Sequence, residues 1–288
     1  MHEVNAKSIV SSQLVMNVYR GCKHGCIYCD SRSKCYQMQH DFKDVEVKVN
    51  APERLEQVLQ SKKKRAIVSM GSMTDPYQPI EKLYKLTRKC LEVIEKYGFG
   101  VTLITKSDLL LRDLPILERI HQKAKCVVQM TLTTMDEQLV KKIEPYAPTT
   151  KRRIEVLQVL KEHHIPTVVW LSPFLPYIND TKENFLALLQ ACLDVGVKGI
   201  LCFGIGLTLR EGNREYFYQQ LDEHFPGLSH KYRQTYHRRY EVRSKHHQEY
   251  MAILEDFCKA HGIMYQIEDI FAYVKHFDPT SEQLKLFE

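Results

Sequence analysis

Three cysteines crowded into one short segment are the first feature of this chain that can do chemistry. Cys22, Cys26 and Cys29 stand at C-x₃-C-x₂-C spacing within Val18-Tyr19-Arg20-Gly21-Cys22-Lys23-His24-Gly25-Cys26-Ile27-Tyr28-Cys29-Asp30. Thiolates are metal ligands, and Gly21 and Gly25 let the backbone curl so that the three sulfurs converge. Three sulfurs can hold three corners of an iron–sulfur cubane and leave the fourth iron open, just as catalytic zinc sites keep one position free. An open iron can chelate the amine and carboxylate of S-adenosylmethionine (SAM). A reduced [4Fe–4S] cluster then breaks the sulfur–C5′ bond, giving methionine and a 5′-deoxyadenosyl radical that the protein aims. Tyr28, directly before the last cysteine, can offer an aromatic face to adenine. The competing reading is a structural zinc site closed by Cys35 or His24.

The elements that must position this loop follow a strand–helix alternation. Short apolar runs predict strands at Leu14–Val18, Ala66–Met70, Val101–Thr105, Cys126–Leu132, Thr167–Leu171 and Lys198–Phe203. Helical spacing predicts helices over Pro52–Gln60, Glu81–Tyr97, Asp113–Gln122, Thr150–His163 and Thr181–Val195. In Glu81–Tyr97 the apolar positions are Leu83, Leu86, Cys90, Leu91 and Ile94. Such repeats imply a parallel sheet with right-handed crossovers. They are too few for a closed eightfold barrel, so the expected fold is an open or partial α/β barrel. The cysteine loop follows the first strand, at the end where such folds place chemistry. Beyond Leu207 the rhythm stops. Arg210–Phe225 and Val242–Ala260 predict helices, and Ile263–Ile267 a last strand. The expected division is a barrel over residues 1–206 and an extension over 207–288 packed on it.

Composition narrows the class. The chain has 288 residues, 44% of them hydrophobic, which is enough for a real core. No run approaches the length of a membrane span and the N-terminus has no secretory pattern, so the expected location is the cytoplasm. Nine cysteines, four of them crowded between Cys22 and Cys35, do not make a disulfide scaffold. Cys90, Cys126, Cys192, Cys202 and Cys258 read as small core residues. A net charge of +6 permits nucleic-acid binding without demanding it. His230–His247 carries Lys231, Arg233, Arg238, Arg239, Arg243 and Lys245 against Glu241 alone. On one helix, Tyr232, Tyr236 and Tyr240 would share a face. That stripe is either a nucleic-acid edge or, as favoured here, a face packed inward.

With these residues in view, the sequence resembles the radical SAM superfamily, and within it the spore photoproduct lyase-like (DNA repair photolyase-like) family. The matching stretches are Tyr19-Arg20-Gly21-Cys22 through Tyr28-Cys29 and Thr74-Asp75-Pro76-Tyr77-Gln78-Pro79-Ile80-Glu81. They continue through Ile104-Thr105-Lys106-Ser107, Thr131-Leu132-Thr133-Thr134, Ser172-Pro173-Phe174-Leu175-Pro176 with Asn179-Asp180, and Thr208-Leu209-Arg210. The resemblance implies a partial (β/α)6 TIM-like barrel, a [4Fe–4S] cluster on Cys22, Cys26 and Cys29, and SAM as cofactor. It implies SAM contacts at Tyr28, Asp75, Lys106 and Thr131, with Lys106 pairing the SAM carboxylate. It also implies an electron donor such as flavodoxin or ferredoxin. It assigns no catalytic residue. The family's lyase takes its hydrogen-atom donor from a cysteine near the second strand, and Ser69-Met70-Gly71-Ser72-Met73-Thr74-Asp75 contains none. Cys202, at the end of the sixth strand, is the only strand-end thiol left that could face the barrel mouth, and a buried structural cysteine is the favoured reading there. The expected substrate is DNA or another nucleic acid. A small molecule or peptide is the alternative, and a zinc protein that binds nucleic acid the remaining one.

The C-terminus adds a partner. Gln283-Leu284-Lys285-Leu286-Phe287, after the turn-forming Asp278-Pro279, resembles the short peptide by which bacterial replication and repair proteins bind the sliding clamp. Gln283 would hydrogen-bond while Leu284, Leu286 and Phe287 fill apolar pockets. The competing reading folds residues 281–288 back onto the barrel.

Overall fold

A computed structural model describes residues 1–277 and residue 279. The tail residues Gln283, Leu284, Leu286 and Phe287 lie outside the described residues. The chain opens with β1 (His2–Val4), β2 (Val15–Met16) and β3 (Tyr19–Arg20), then passes through the cysteine loop to β4 (Glu46–Lys48). β4 pairs parallel with β1 and antiparallel with β3. This small sheet is invisible in the sequence pattern, because strands of two or three residues are too short to show a period.

The main sheet adds β5 (Ile67–Met70), β6 (Gly100–Thr105), β7 (Cys126–Thr131), β8 (Thr167–Trp170) and β9 (Gly199–Leu201). Its order is β2-β5-β6-β7-β8-β9, all parallel. Each strand is laid beside its predecessor in the same direction, and right-handed crossovers then put the helices on one side. Those helices are α1 (Ala51–Ser61), α2 (Glu81–Tyr84), α3 (Leu86–Lys96), α4 (Leu114–Lys123), α5 (Glu137–Ile143), α6 (Thr150–Glu162) and α7 (Lys182–Val195). The expected partial (β/α)6 barrel is the observed one. Glu81–Tyr97 is not a single helix, however. Lys85 takes a left-handed φ of 53° and splits it, and Leu83 is 69% exposed rather than in the core.

Beyond the sheet come β10 (Gly206–Thr208), α8 (Asn213–His224), α9 (Leu228–Tyr236), β11 (Glu241–Arg243), α10 (His247–His261) and α11 (Ile267–Lys275). Two expectations are corrected here. Val242 does not open a helix: it pairs antiparallel with Leu207, and the helix begins at His247. Ile263–Ile267 contributes only a bridge from Met264 to Gly199 before α11 starts. The tyrosine stripe is also cut short. α9 ends at Tyr236, His237 turns away with a φ of 50°, and Tyr232 and Tyr236 are buried while Tyr240 stays 45% exposed.

Successive strand residues point to opposite faces. Leu103, Val128, Val169 and Ile200 cluster with apolar residues of the helical layer, including Leu91, Leu117 and Leu157. The alternate residues Val127, Val168 and Leu201 cluster instead with Ile270 and Val274 of α11. α11 touches both β5 and β9, so it fills the concave side that a six-stranded open sheet would leave bare. On that same face Trp170 Nε1 donates to Gln129 Oε1 (2.7 Å), and Gln129 Nε2 donates to Thr102 Oγ1 (2.8 Å), a polar belt across three adjacent strands.

The strand ends are closely spaced at Gly71. Its φ is +96°, and a Cβ there would lie 2.4 Å from the Ile104 carbonyl oxygen and 2.9 Å from Pro76 Cδ. Gly71→Ala should therefore cost more than the roughly 1–2 kcal/mol of left-handed strain alone. Gly227→Ala, at φ +82° with nothing within 4 Å, should cost only that strain. Urea unfolding of the two variants side by side checks the difference.

Candidate active site

The cysteine loop is clamped by the segment that follows β5. Thr74 Oγ1 and Gln78 Nε2 both donate to the Gly21 carbonyl, at 2.6 and 3.2 Å. Lys23 N–H donates to Gln78 Oε1 at 2.9 Å. Gly21 itself has φ +88°, and a Cβ there would meet the Phe42 carbonyl oxygen at 2.6 Å. Just ahead of the loop, the Tyr19 hydroxyl donates to the fully buried Glu81 carboxylate. Glu81 also accepts from Thr87 N–H at 3.1 Å and pairs with Arg112 at 2.7 Å. The stretch Thr74–Glu81 is thus a bracket: Thr74 and Gln78 hold Gly21, and Glu81 holds Tyr19.

Asp75 sits inside that bracket with both carboxylate oxygens in use. Oδ1 accepts from Thr105 Oγ1 (2.7 Å) and Tyr77 N–H (2.8 Å), and Oδ2 accepts from Lys106 N–H (2.8 Å). His24 Nε2 lies 3.0 Å from Oδ2, at ion-pair distance but without hydrogen-bond angles. Burial pushes the Asp75 pKa up, yet the His24 ring and these donors outweigh it and hold the carboxyl at about 2.

A second buried carboxylate braces the other side. The Tyr28 hydroxyl donates to Glu144, and Arg153 pairs with the same carboxylate; Glu144 and Arg153 are fully buried. Arg153 also donates to the carbonyls of Thr131 (3.1 Å) and Pro148 (3.0 Å). Backbone bonds from Ile27 to Ile143 (3.0 Å) and from Tyr146 to His24 (3.1 Å) dock the loop on the end of α5. Sequence reading missed α5, Glu144 and Arg153. Only an acid at Glu144 and a base in helix α6 hinted at them, and such residues ordinarily face water. Lys106 Nζ stands 5.8 Å from the Tyr28 ring centroid. Burial works against its ammonium, but the Cys26 sulfur and Glu144 more than compensate, so its pKa is raised and it stays charged.

These parts surround a cavity of about 630 Å³ at the carboxyl ends of the strands. Cys22, Cys26, Cys29, Tyr28, Asp75, Lys106 and Thr131 all line it, so the structure brings every sequence-predicted site residue to one place. Cys202 is not among them: its sulfur is buried 3.9 Å from Met251 Sδ, in keeping with the reading of it as a small core residue. The facing wall was not foreseen. Phe203, 53% exposed, lies against Trp170 with ring centroids 5.5 Å apart. His247 accepts the Ile205 N–H on Nδ1 at 3.1 Å, which fixes the proton on Nε2 in the neutral ring. Burial and the neighbouring Arg243 lower its pKa, keeping it neutral.

The donor set fits an iron–sulfur cubane. Burial first, then Asp75, pushes the Cys22 thiol up to about 12, and burial raises Cys26 as well, so a metal that takes these sulfurs must displace their protons. A single zinc ion would draw its sulfurs to within about 3.8 Å of one another. Among the described residues the one group of three or more His, Cys, Asp or Glu ligand atoms within 4.8 Å of one another is His2, His40 and Asp44, which includes none of the three cysteines. Neither candidate fourth ligand is free to close the site: His24 lines the cavity but has Nδ1 against the Tyr146 carbonyl (3.2 Å) and Nε2 3.0 Å from Asp75 Oδ2, and Cys35 is exposed with its sulfur 3.2 Å from Arg210 Nη1. Three thiols without a fourth suit a cluster with one open iron.

Removing the Glu144 carboxylate would strand a buried guanidinium. Glu144→Ala should destabilise the fold by about 3–5 kcal/mol. Replacing both partners, as Glu144→Gln with Arg153→Met, should recover most of that loss. Denaturant melts of both variants, with iron content measured in parallel, check the pair.

Comparison with known proteins converges on the same chemistry. The family model of the radical SAM superfamily matches residues 16–192. An uncharacterized protein of Methanocaldococcus jannaschii is 33% identical over 181 residues, 62% of this chain and 67% of its own length. A protein of Pseudomonas phage M6 named radical SAM Nalpha-GlyT isomerase is 24% identical over 192 residues, 66% of this chain and 39% of its own. The solved structure of spore photoproduct lyase complexed with dinucleoside spore photoproduct superposes with a TM-score of 0.60 at 13% identity, covering 86% of this chain and 74% of that one. That likeness is one of fold. With the matched model spanning the cysteine loop and most of the barrel, this chain belongs to the radical SAM superfamily, and the [4Fe–4S] cluster and SAM of that family are the cofactors its cysteine loop and cavity fit.

Proposed function

We propose that this chain is a radical SAM enzyme acting on a base of DNA or another nucleic acid, in the cytoplasm. The observation that carries the reading is the wall opposite the cysteines: exposed Phe203 against Trp170, beside a neutral His247 that can donate from Nε2. Flat aromatic surface next to a polar donor is how proteins receive an unstacked base. The dinucleoside held by the solved lyase, a neighbour in fold, supports the same class of ligand.

When bound, the cluster and SAM supply the 5′-deoxyadenosyl radical. The chain's own residues then divide the work. Cys22, Cys26 and Cys29 hold the cluster. Lys106, charged and inside the cavity, takes the SAM carboxylate as a point charge. Asp75 positions Lys106 through its backbone N–H. Tyr28, pinned by Glu144, and the Thr131 hydroxyl border the adenosyl portion. Among the described residues lining the cavity, the only thiols are the three cluster cysteines, so a cysteine-dependent repair of spore photoproduct is not its reaction. A flavodoxin or ferredoxin supplies the electron. Gln283, Leu284, Leu286 and Phe287 would tether the enzyme to a sliding clamp, which favours DNA over RNA.

Anaerobically reconstituted protein should bind about four iron and four sulfide. Alanine at Cys22, Cys26 or Cys29 should abolish the cluster, while Cys35→Ala should keep it. Lys106→Ala should raise the KM for SAM at least about tenfold, the worth of one lost charge-assisted contact, without loss of iron. Reduced enzyme should form more 5′-deoxyadenosine when DNA or RNA oligonucleotides are added, and Phe203→Ala should remove that stimulation. A small-molecule or peptide enzyme would cleave SAM at the same rate with or without nucleic acid.

A further inference from the structure

Resting on that reading of the substrate, we propose that a second pocket beside the main cavity binds the backbone phosphodiester flanking the base. This pocket, of about 400 Å³, is lined by Tyr236, Arg239, Tyr240, Glu241 and Arg243. Tyr240, Glu241 and Arg243 also line the main cavity, so the two spaces adjoin. The backbone of a base held in one is within reach of the other.

The turn that carries these residues is built in advance. Arg214 Nη2 donates to the carbonyls of Leu209 (2.5 Å), Arg238 (3.3 Å) and Arg239 (2.8 Å), which holds residues 238–240 from beneath. Arg210 Nη2 donates to the Tyr240 hydroxyl at 2.7 Å, and its guanidinium lies 5.2 Å from the Tyr240 ring centroid. β10 and β11 fix the far side through the pairing of Thr208 with Glu241. Such a preformed turn loses little entropy when a ligand arrives.

Charge completes the argument. Arg239 is exposed and makes no ion pair among the described residues. Arg243 pairs with Glu241 at 2.7 Å, and both are more than half exposed. One guanidinium has several N–H donors, so Arg243 keeps a free edge beyond Glu241. The Glu241 charge is exposed enough for salt to screen its repulsion of a phosphate. Two guanidinium groups with a tyrosine at the boundary suit a phosphodiester and a stacked neighbouring base.

The test is anisotropy of a fluorescein-labelled oligothymidylate on cluster-loaded full-length protein at several salt concentrations. Arg239→Gln with Arg243→Gln should weaken binding at least tenfold and flatten the salt slope by about 1.4, the share of two phosphate contacts on a single strand at about 0.7 each. Lys62→Gln with Lys63→Gln removes two exposed charges on the loop between α1 and β5, and should change binding less than twofold. Iron content and unfolding temperature confirm that the variants fold. Equal binding by wild type and the double arginine variant would overturn the phosphodiester site while leaving a nucleic-acid substrate standing. An equal loss in the lysine control would also overturn it, leaving only diffuse charge. No saturable binding by wild type would overturn the substrate reading itself.

Discussion

A glycine-containing loop with three thiols has no core of its own, so whatever fixes Cys22, Cys26 and Cys29 must come from outside it. Two buried carboxylates supply the fixed points. Glu81 grips Tyr19 at the entrance of the loop, and Glu144 grips Tyr28 at its exit. Each carboxylate is in turn neutralised by an arginine, Arg112 on one side and Arg153 on the other. Buried charges of this kind are costly, and their pairing adds little net stability. What they give is definition: a carboxylate that must satisfy several donors at once permits few arrangements of the backbone around it.

The sheet contributes the other half of the constraint. Because all six strands run parallel, their carboxyl ends come to one rim, and the loops that follow them meet there. Asp75, after β5, binds the backbone of Lys106, after β6, while Arg153 of α6 binds the carbonyl of Thr131, the last residue of β7. Adjacent strand ends are therefore cross-linked by side chains, and the cavity keeps its shape without relying on loop packing alone.

Much of this could be read from the residues. The six parallel strands announced themselves as apolar runs, since strands buried on both faces need no alternation. Cys22, Cys26 and Cys29 stood out by their spacing, and the family resemblance pointed to Asp75, Lys106 and Thr131; all six line one cavity. What stayed hidden was whatever depends on long-range pairing. Val242 looked helical because a three-residue strand has no period, and only its partner Leu207 makes it a strand. Tyr240 looked like the third member of a helical stripe because nothing in its side chain reveals the turn at His237. Trp170 and Phe203 were visible only as members of the strands Thr167–Leu171 and Lys198–Phe203, since an aromatic that lines a cavity has the same composition as one that fills a core.

One packing detail ties the halves of the molecule together. Cys26, Ile27 and Tyr28 share a hydrophobic cluster with Leu207, Leu209, Phe217, Leu221, Tyr232 and Val242 of the extension. The extension is therefore part of the seat of the cysteine loop as well as a wall of the cavity. Thermodynamic linkage then runs in both directions: a ligand that orders the extension must favour the metal-bound loop by the same free energy with which the metal-bound loop favours that ligand. It also limits modularity. An extension grafted from another barrel would bring a new substrate surface but would have to reproduce this shared apolar contact, so specificity and cofactor retention in this chain are inherited together.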